Sequence, residues 1–269
     1  MEPREYATMF ALEEGHWWYR SLRRRIRRAL GRIAEVEDGP AQSALTTMGT
    51  SDDTPLPRLC LDAGCGSGML LASLPSAWTA VGCDLSATAL AFARRRTLPH
   101  LARASVAELP FADACADLVV SADVIYHRDV PDDVAALREM ARCLRGGGYL
   151  VLNVPAFAWL YSAHDRAIHT ARRYQCAELR AKLERAGLTP VRVRYWNWLL
   201  FPPLALLRLW RRGRVAGAAP ASDLRPLPAG INTLLGAVLR IEEWFDPLRL
   251  PFGLSLLAVA RKETDAGSR

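Results

Sequence analysis

Three stretches of this chain hold residue types at spacings that can do chemistry. Residues 59–68 form an apolar run that closes on Asp62 and opens into Gly64, Gly66 and Gly68. The run reads as a buried parallel strand, and glycines after it let a ligand approach the backbone. The G-x-G-x-G spacing is not the G-x-G-x-x-G of dinucleotide folds, so no pyrophosphate is required. The second stretch, residues 79–86, is another short apolar run, closing on Asp84. It follows the glycine loop by about one helix, the reach of a βαβ crossover, which sets the Asp84 carboxylate to accept the two hydroxyls of a ribose. The third, residues 155–174, packs His164, His169, Asp165, Arg166, Arg172, Arg173 and several aromatics into one loop after a strand. His164 or His169 can serve there as a base oriented by Asp165, with Arg172 or Arg173 binding an acidic group. The other reading is a buried hydrogen-bond network that shapes the loop. A His-Asp-His metal site fits no strong ligand spacing. His127, which follows a further apolar run through Asp123, is another candidate base.

The elements that must position these residues follow a strand–helix rhythm. Strands are expected over 59–63, 79–84, 104–111, 116–123, 146–155 and 191–196, with a helix over 177–188 before the last. Residues 1–35 read as one or two helices, and 36–57, rich in Gly, Pro, Ser, Thr and Asp, as a mobile linker. With 269 residues, 51% of them hydrophobic, one domain with appendages is expected. The six cysteines are scattered without CxxC pairs, and no basic segment followed by an apolar one opens the chain, so a reducing cytosol is expected. The net charge of +7 is almost wholly arginine on the basic side, with only Lys182 and Lys262 as lysines. On a helix over 20–30, Leu22, Ile26, Ala29 and Leu30 share one face and arginines cover the rest. A solvated arginine face is the expectation; contact with anionic lipid, phosphate or nucleic acid is the alternative.

LDAGCGSG, the acid of VGCDLS, the AELPF segment, DLVVSADVIYH and LRGGGYLVLNVP occur in that order over residues 59–190. Together they resemble the class I S-adenosylmethionine-dependent methyltransferases, of a bacterial, small-molecule type. The resemblance implies an α/β, Rossmann-like sheet of seven strands, with strand seven at 254–260. It divides the chain into an N-terminal helical lid (1–35), the linker (36–57) and a methyltransferase domain (58–269) whose strands six and seven are separated by a helical cap, 197–252. S-adenosylmethionine is the implied cofactor. Asp62, Ala63, Gly64, Cys65, Gly66 and Gly68 would then lie against its methionine tail and ribose, with Asp62 ordering the loop or reaching the ammonium. Asp84 would take the ribose hydroxyls, Leu85 would stack under adenine, and Ser105 with the Val106 N–H would stand where the family often has an acid for the adenine amino group. Trp17 and Tyr19, in His16-Trp17-Trp18-Tyr19, would close over the cofactor, while Trp17 or Trp18 docks the helix. Tyr126 would line the acceptor site, and no metal is implied.

The implied activity is methyl transfer to a small or lipid-linked acceptor, as O-methylation assisted by His127, His164 or His169. A cofactor-binding scaffold without transfer is one alternative, and N- or C-methylation of a natural product another. The Asn-Pro-Pro-Tyr signature of base and glutamine methylation is absent after strand four, which disfavours nucleic acid. Residues 198–210 are strongly apolar but Pro-broken and too short to span a bilayer. With Arg208, Arg211, Arg212 and Arg214 they form either a structural cap or a peripheral membrane contact over 198–214. The expected location is cytoplasmic, with that contact at the membrane periphery.

Overall fold

The computed structural model describes residues 3–37, 58–76, 78–212 and 224–264. The expected linker thus lies, from residue 38 on, outside the described residues, as do Arg214 and residues 220–223 of the loop inside the cap. Seven strands form one sheet: β1 (Arg58–Ala63), β2 (Trp78–Asp84), β3 (His100–Arg103), β4 (Ala116–Ala122), β5 (Leu144–Pro155), β6 (Thr189–Trp196) and β7 (Ser255–Arg261). Their order is β3-β2-β1-β4-β5-β7-β6; the first five run parallel, and β7 is antiparallel to both β5 and β6. The chain winds outward from β1 to β3 and then returns to β4. The crevice beyond the carboxyl ends of β1 and β4 is therefore the topological switch point, where ligands bind in such sheets.

Strand three does not lie over 104–111 as its apolar content suggested. β3 is His100–Arg103, and the following residues turn. The Ser105 hydroxyl accepts from the Ala107 amide at 3.2 Å, and the Glu108 amide returns to the Ser105 carbonyl at 3.1 Å. A serine that bonds its own neighbours competes with a ladder, and Pro110 has no N–H to offer one.

Both sheet faces are covered, so the inner strands alternate in destination rather than in polarity. Leu61, Val119, Leu150 and Leu152 pack with Leu137 and Met140 of α4 (Asp133–Cys143) and Leu179 and Leu183 of α6 (Cys176–Arg185). Cys60, Leu118, Val120, Tyr149 and Val151 point to the other face, which α2 (Trp17–Glu37) covers with Leu22, Ile26, Ala29, Leu30 and Ile33. Burial of each large aliphatic side chain there is worth about 1.5–3 kcal/mol. Most of α2 is thus a layer of the domain, which leaves α1 (Pro3–Leu12) and the first turn of α2 to face the cleft.

The arginines of α2 divide: Arg20, Arg27 and Arg32 are exposed, as expected of a solvated face, whereas Arg24, Arg25 and Arg28 meet acids. Arg24 Nε lies 2.6 Å from Glu243, Arg25 Nη2 lies 2.7 Å from Glu242 and Nη1 lies 3.0 Å from Asp246, and Arg28 lies 2.5 Å from Glu243. Those acids belong to the insertion between β6 and β7, which consists of α7 (Phe201–Arg212) and α8 (Ala229–Trp244) with their connections. No helix among the described residues is long and apolar enough to cross a membrane.

Candidate functional site

A cavity of about 1070 Å³ opens beyond the carboxyl ends of β1, β2, β4 and β5, lined by Asp62, Gly64, Asp84, Asp123 and Pro155 from the strand ends. That is just above the usual range for small-molecule sites, about 300–1,000 Å³.

The glycine loop turns at the mouth of β1. Gly64 has φ of +93°, and a Cβ there would overlap the side chain of Val124. The Gly64 and Cys65 amides both donate to the Cys83 carbonyl, at 2.9 and 2.8 Å, which ties the loop to β2. Asp84 is held by two backbone donors: the Gly66 amide reaches Oδ2 at 2.9 Å and the Ser86 amide reaches Oδ1 at 2.8 Å. Burial nevertheless keeps its carboxyl above the usual carboxylate range, against those two bonds. Asp62 meets no hydrogen-bond donor among the described residues. Burial, with the Asp84 charge beside it, pushes its pKa up to about 8. Leu85, 48% exposed, lines the cavity, as do Ser105 and Val106.

Two expected cofactor residues stand back from the cavity. Ala63 is fully buried in β1, where its carbonyl accepts from the Ser121 hydroxyl at 2.8 Å. Gly68 faces away, toward the helix α3 (Ala87–Arg94): its φ is +77°, and a Cβ would overlap Leu98 and press on Ala93. Its glycine serves helix packing, not ligand approach.

The amino-terminal segment closes one side. Trp17, Trp18 and Tyr19 all line the cavity. Trp18 stacks on Trp196 with ring centroids 4.8 Å apart, and the Trp17 amide donates to Asn232 Oδ1 at 2.9 Å. Tyr6 and Met9 of α1 line it too. Glu13 accepts from the Ser67 hydroxyl and from Arg96 at 2.6 Å, so α1 is bound to the glycine loop itself.

At the acceptor end, His127 and His164 line the cavity together with Tyr126. His127 Nδ1 lies 3.3 Å from Asp129 Oδ2, and burial lowers its pKa to about 4. His169 does not line the cavity; its ring lies 5.6 Å from that of His127, and its backbone takes a φ of +59°. Arg172 points out of the cavity, donating to the Val130 carbonyl at 2.8 Å and lying 3.3 Å from Asp133. Asp165 and Arg173 reach the cavity but hold each other, with Nε to Oδ1 at 2.8 Å and Nη2 to Oδ2 at 3.1 Å. Asp165 also accepts from the Ser162 amide and hydroxyl at the start of α5 (Ala163–Ala167). Asp165 is buried, but Arg173 holds its carboxyl below the ordinary value. The buried-network reading of this loop therefore accounts for Asp165, Arg172 and Arg173, because charged groups this close satisfy one another once water is excluded.

Asp123, at the end of β4, was legible only as part of a motif. It is a half-buried non-glycine residue with φ of +62°, it accepts from Asn153 Nδ2 at 3.0 Å, and desolvation raises its pKa to about 7. Tyr6, Met9 and Glu13 were missed because α1 is short and its spacing of three and four residues signals only a helix face. Arg166, Arg208 and Arg225 also line the cavity; Arg208, expected among the cations of a membrane contact, instead donates to the Leu160 carbonyl at 2.7 Å, and only Arg225 carried no sequence signal.

Comparison with known proteins accords with this geometry. Residues 61–152 match the family described as "Methyltransferase domain". The chain is similar to a protein of Mycobacterium tuberculosis named "Probable S-adenosylmethionine-dependent methyltransferase", at 37% identity over 141 residues, 50% of each chain. The chain thus spans about half the length of that curated relative. It is also similar to a demethylmenaquinone methyltransferase of Mycolicibacterium vanbaalenii, at 29% identity over 70% of this chain and 81% of the relative. Among solved structures, a SAM-dependent methyltransferase from Thermotoga maritima shares the fold with a TM-score of 0.52 and 16% identity, over 97% of this chain and 96% of that one. The seven-stranded sheet, the glycine loop at its switch point and the family match identify residues 61–152 as a methyltransferase domain of the class I S-adenosylmethionine-dependent family.

Proposed function

We propose that the chain transfers a methyl group from S-adenosylmethionine to a hydroxyl of a small or lipid-linked acceptor. The observation that carries the cofactor half is Asp62, a buried carboxylate with no donor among the described residues, beside a loop that only glycine can form. A buried acid that resists ionising in that position would be held as the anion by a cationic partner, and the ammonium of the methionine tail is one. Asp84, fixed by the Gly66 and Ser86 amides, would receive the ribose hydroxyls, and half-exposed Leu85 with the Ser105–Val106 turn would hold the adenine. When bound, the cofactor supplies an electrophilic methyl group on a sulfonium.

The chain's own residues would align the acceptor, exclude water and remove a proton. His127, held low by burial, is neutral near pH 7. Its Nδ1 accepts from the Asp129 amide at 3.3 Å, which leaves the proton on Nε2; to act as base the ring would take the other tautomer, with Nδ1–H turned to Asp129 Oδ2, also 3.3 Å away. Asp123 is a second acceptor in the same cavity. Tyr6, Trp17 and Tyr19 close the cofactor end against water, which strengthens each polar contact inside. Leu204, Leu207, Leu227 and Leu235 from the insertion give the acceptor end an apolar wall. The demethylmenaquinone methyltransferase relative supports a small or lipid-linked acceptor.

Calorimetric titration with S-adenosylmethionine and its demethylated product tests the cofactor half. Transfer of a labelled methyl group to a panel of hydroxylated apolar compounds tests the rest. Binding of neither cofactor form would overturn the reading. Binding without transfer to any compound would favour a cofactor-binding scaffold.

A further inference from the structure

The outer face of the insertion is apolar and shows no acid among its described residues. On α8, Ile231, Leu234, Ile241 and Trp244 are 49, 62, 44 and 76% exposed, and Phe245 and Leu248 continue the exposed surface past the helix end. At 3.6 residues per turn Leu234, Ile241 and Trp244 lie on the side away from Asn232, Leu239, Glu242 and Glu243, which face α2, while Ile231 is exposed in the first turn of the helix. Leu206 and Leu209 of α7 are likewise 70 and 48% exposed. A stable monomer rarely leaves so much apolar surface in water.

Charge indicates what covers it. Residues 197–252 contain seven arginines and four acids. Three of those acids, Glu242, Glu243 and Asp246, are bound by Arg24, Arg25 and Arg28 of α2. The fourth, Asp223, lies outside the described residues. The outward side is left with apolar residues, and exposed arginines flank it: Arg240, at the groove shared with α2, and Arg249, past the helix end. Apolar groups with cations beside them match an anionic lipid surface, where the side chains enter the acyl boundary and the arginines meet headgroups. A protein partner or a second copy would also cover the apolar residues, but neither accounts for the acids being turned inward.

The inner sides of the same two helices, through Leu204, Leu207 and Leu235, line the acceptor end of the cavity. We propose that the outer face of α7 and α8 docks on an anionic bilayer, from which an apolar acceptor enters the cavity. The entry step rests on the acceptor reading above; the docking does not.

The test is a pelleting assay of the full chain with vesicles of phosphatidylcholine alone or mixed with phosphatidylglycerol, with S-adenosylmethionine titrated in parallel. Binding to the mixed vesicles is expected to be at least about tenfold tighter than to phosphatidylcholine alone, and weaker at high salt. The double variant Leu234→Asp/Ile241→Asp should lose roughly tenfold or more of that affinity while its cofactor affinity is unchanged. Arg240→Gln with Arg249→Gln should weaken binding to the anionic vesicles only. Docking is overturned if the chain binds neither vesicle, if it binds both equally, or if the aspartate variant instead dissolves a dimer seen in sedimentation. In the wild-type chain, cofactor binding without vesicle binding overturns docking alone; vesicle binding without cofactor binding overturns the enzymatic reading alone.

Discussion

Arg25 on α2 and Glu242 on α8 meet at 2.7 Å, with side chains only 5% and 0% exposed. Glu242 also accepts from the Asn197 amide at 2.6 Å and the Leu199 amide at 3.1 Å, and the Arg25 guanidinium lies over the Trp196 ring at 5.0 Å. One buried pair thus joins the amino-terminal helix, the end of β6 and the insertion. Removing one partner strands the other charge away from water. Arg25→Ala should cost about 3–5 kcal/mol in urea unfolding. A loss below about 1 kcal/mol would place the pair among incidental contacts.

Asp62 makes the unliganded protein sensitive to alkali. Its pKa is about 8 in the fold against an ordinary carboxyl value of 3.8, so between those values the folded chain keeps a proton that the unfolded chain has lost. Stability contributed at this site therefore falls as pH rises through that window. Asp62→Asn should flatten the decline in melting temperature between pH 5 and pH 8. The same substitution should remove the rise in cofactor affinity with pH that comes from ionising Asp62 to meet an ammonium. Parallel pH profiles for wild type and variant, in either measurement, would contradict this role.

Asp84→Ala tests the ribose contact. Loss of a carboxylate that accepts two hydroxyls should weaken S-adenosylmethionine binding by more than about tenfold, about 1.4 kcal/mol or more. Because Asp84 also accepts from the Gly66 and Ser86 amides, Asp84→Asn is the companion variant, keeping an acceptor oxygen for the loop. Unchanged affinity in both would move the ribose elsewhere.

His127→Ala should lower kcat by roughly a hundredfold or more, with cofactor affinity within about twofold of wild type. Since burial holds His127 at about 4, the histidine is already neutral above that pH and its own titration should leave kcat level between pH 5 and pH 7. A step in kcat near pH 6.5 that disappears in His127→Ala would show an ordinary, solvated imidazole instead.

Much of the fold was legible because it rests on local patterns. Apolar runs closing on Asp62 and Asp84, with three glycines between, specify a strand, a tight turn and the next strand almost without reference to the rest of the chain. Strand three was misplaced over 104–111 because apolar content alone does not reveal a serine bonded to its own neighbours or a proline without an N–H. Gly64 and Gly68 looked alike in sequence, yet one faces the cavity and the other packs on α3.

The sequence by itself determined the sheet, the cofactor loop and the positions of its acids, since each depends on residues within a few positions of one another. Only the tertiary structure decided where the charges went. Arg173 turned to Asp165, Arg172 to Asp133, and Arg24 and Arg25 of α2 to Glu243 and Glu242, partners up to 219 positions away. Coulombic attraction acts through space, and it is strongest where folding has removed water, so no local reading of the chain assigns those pairs.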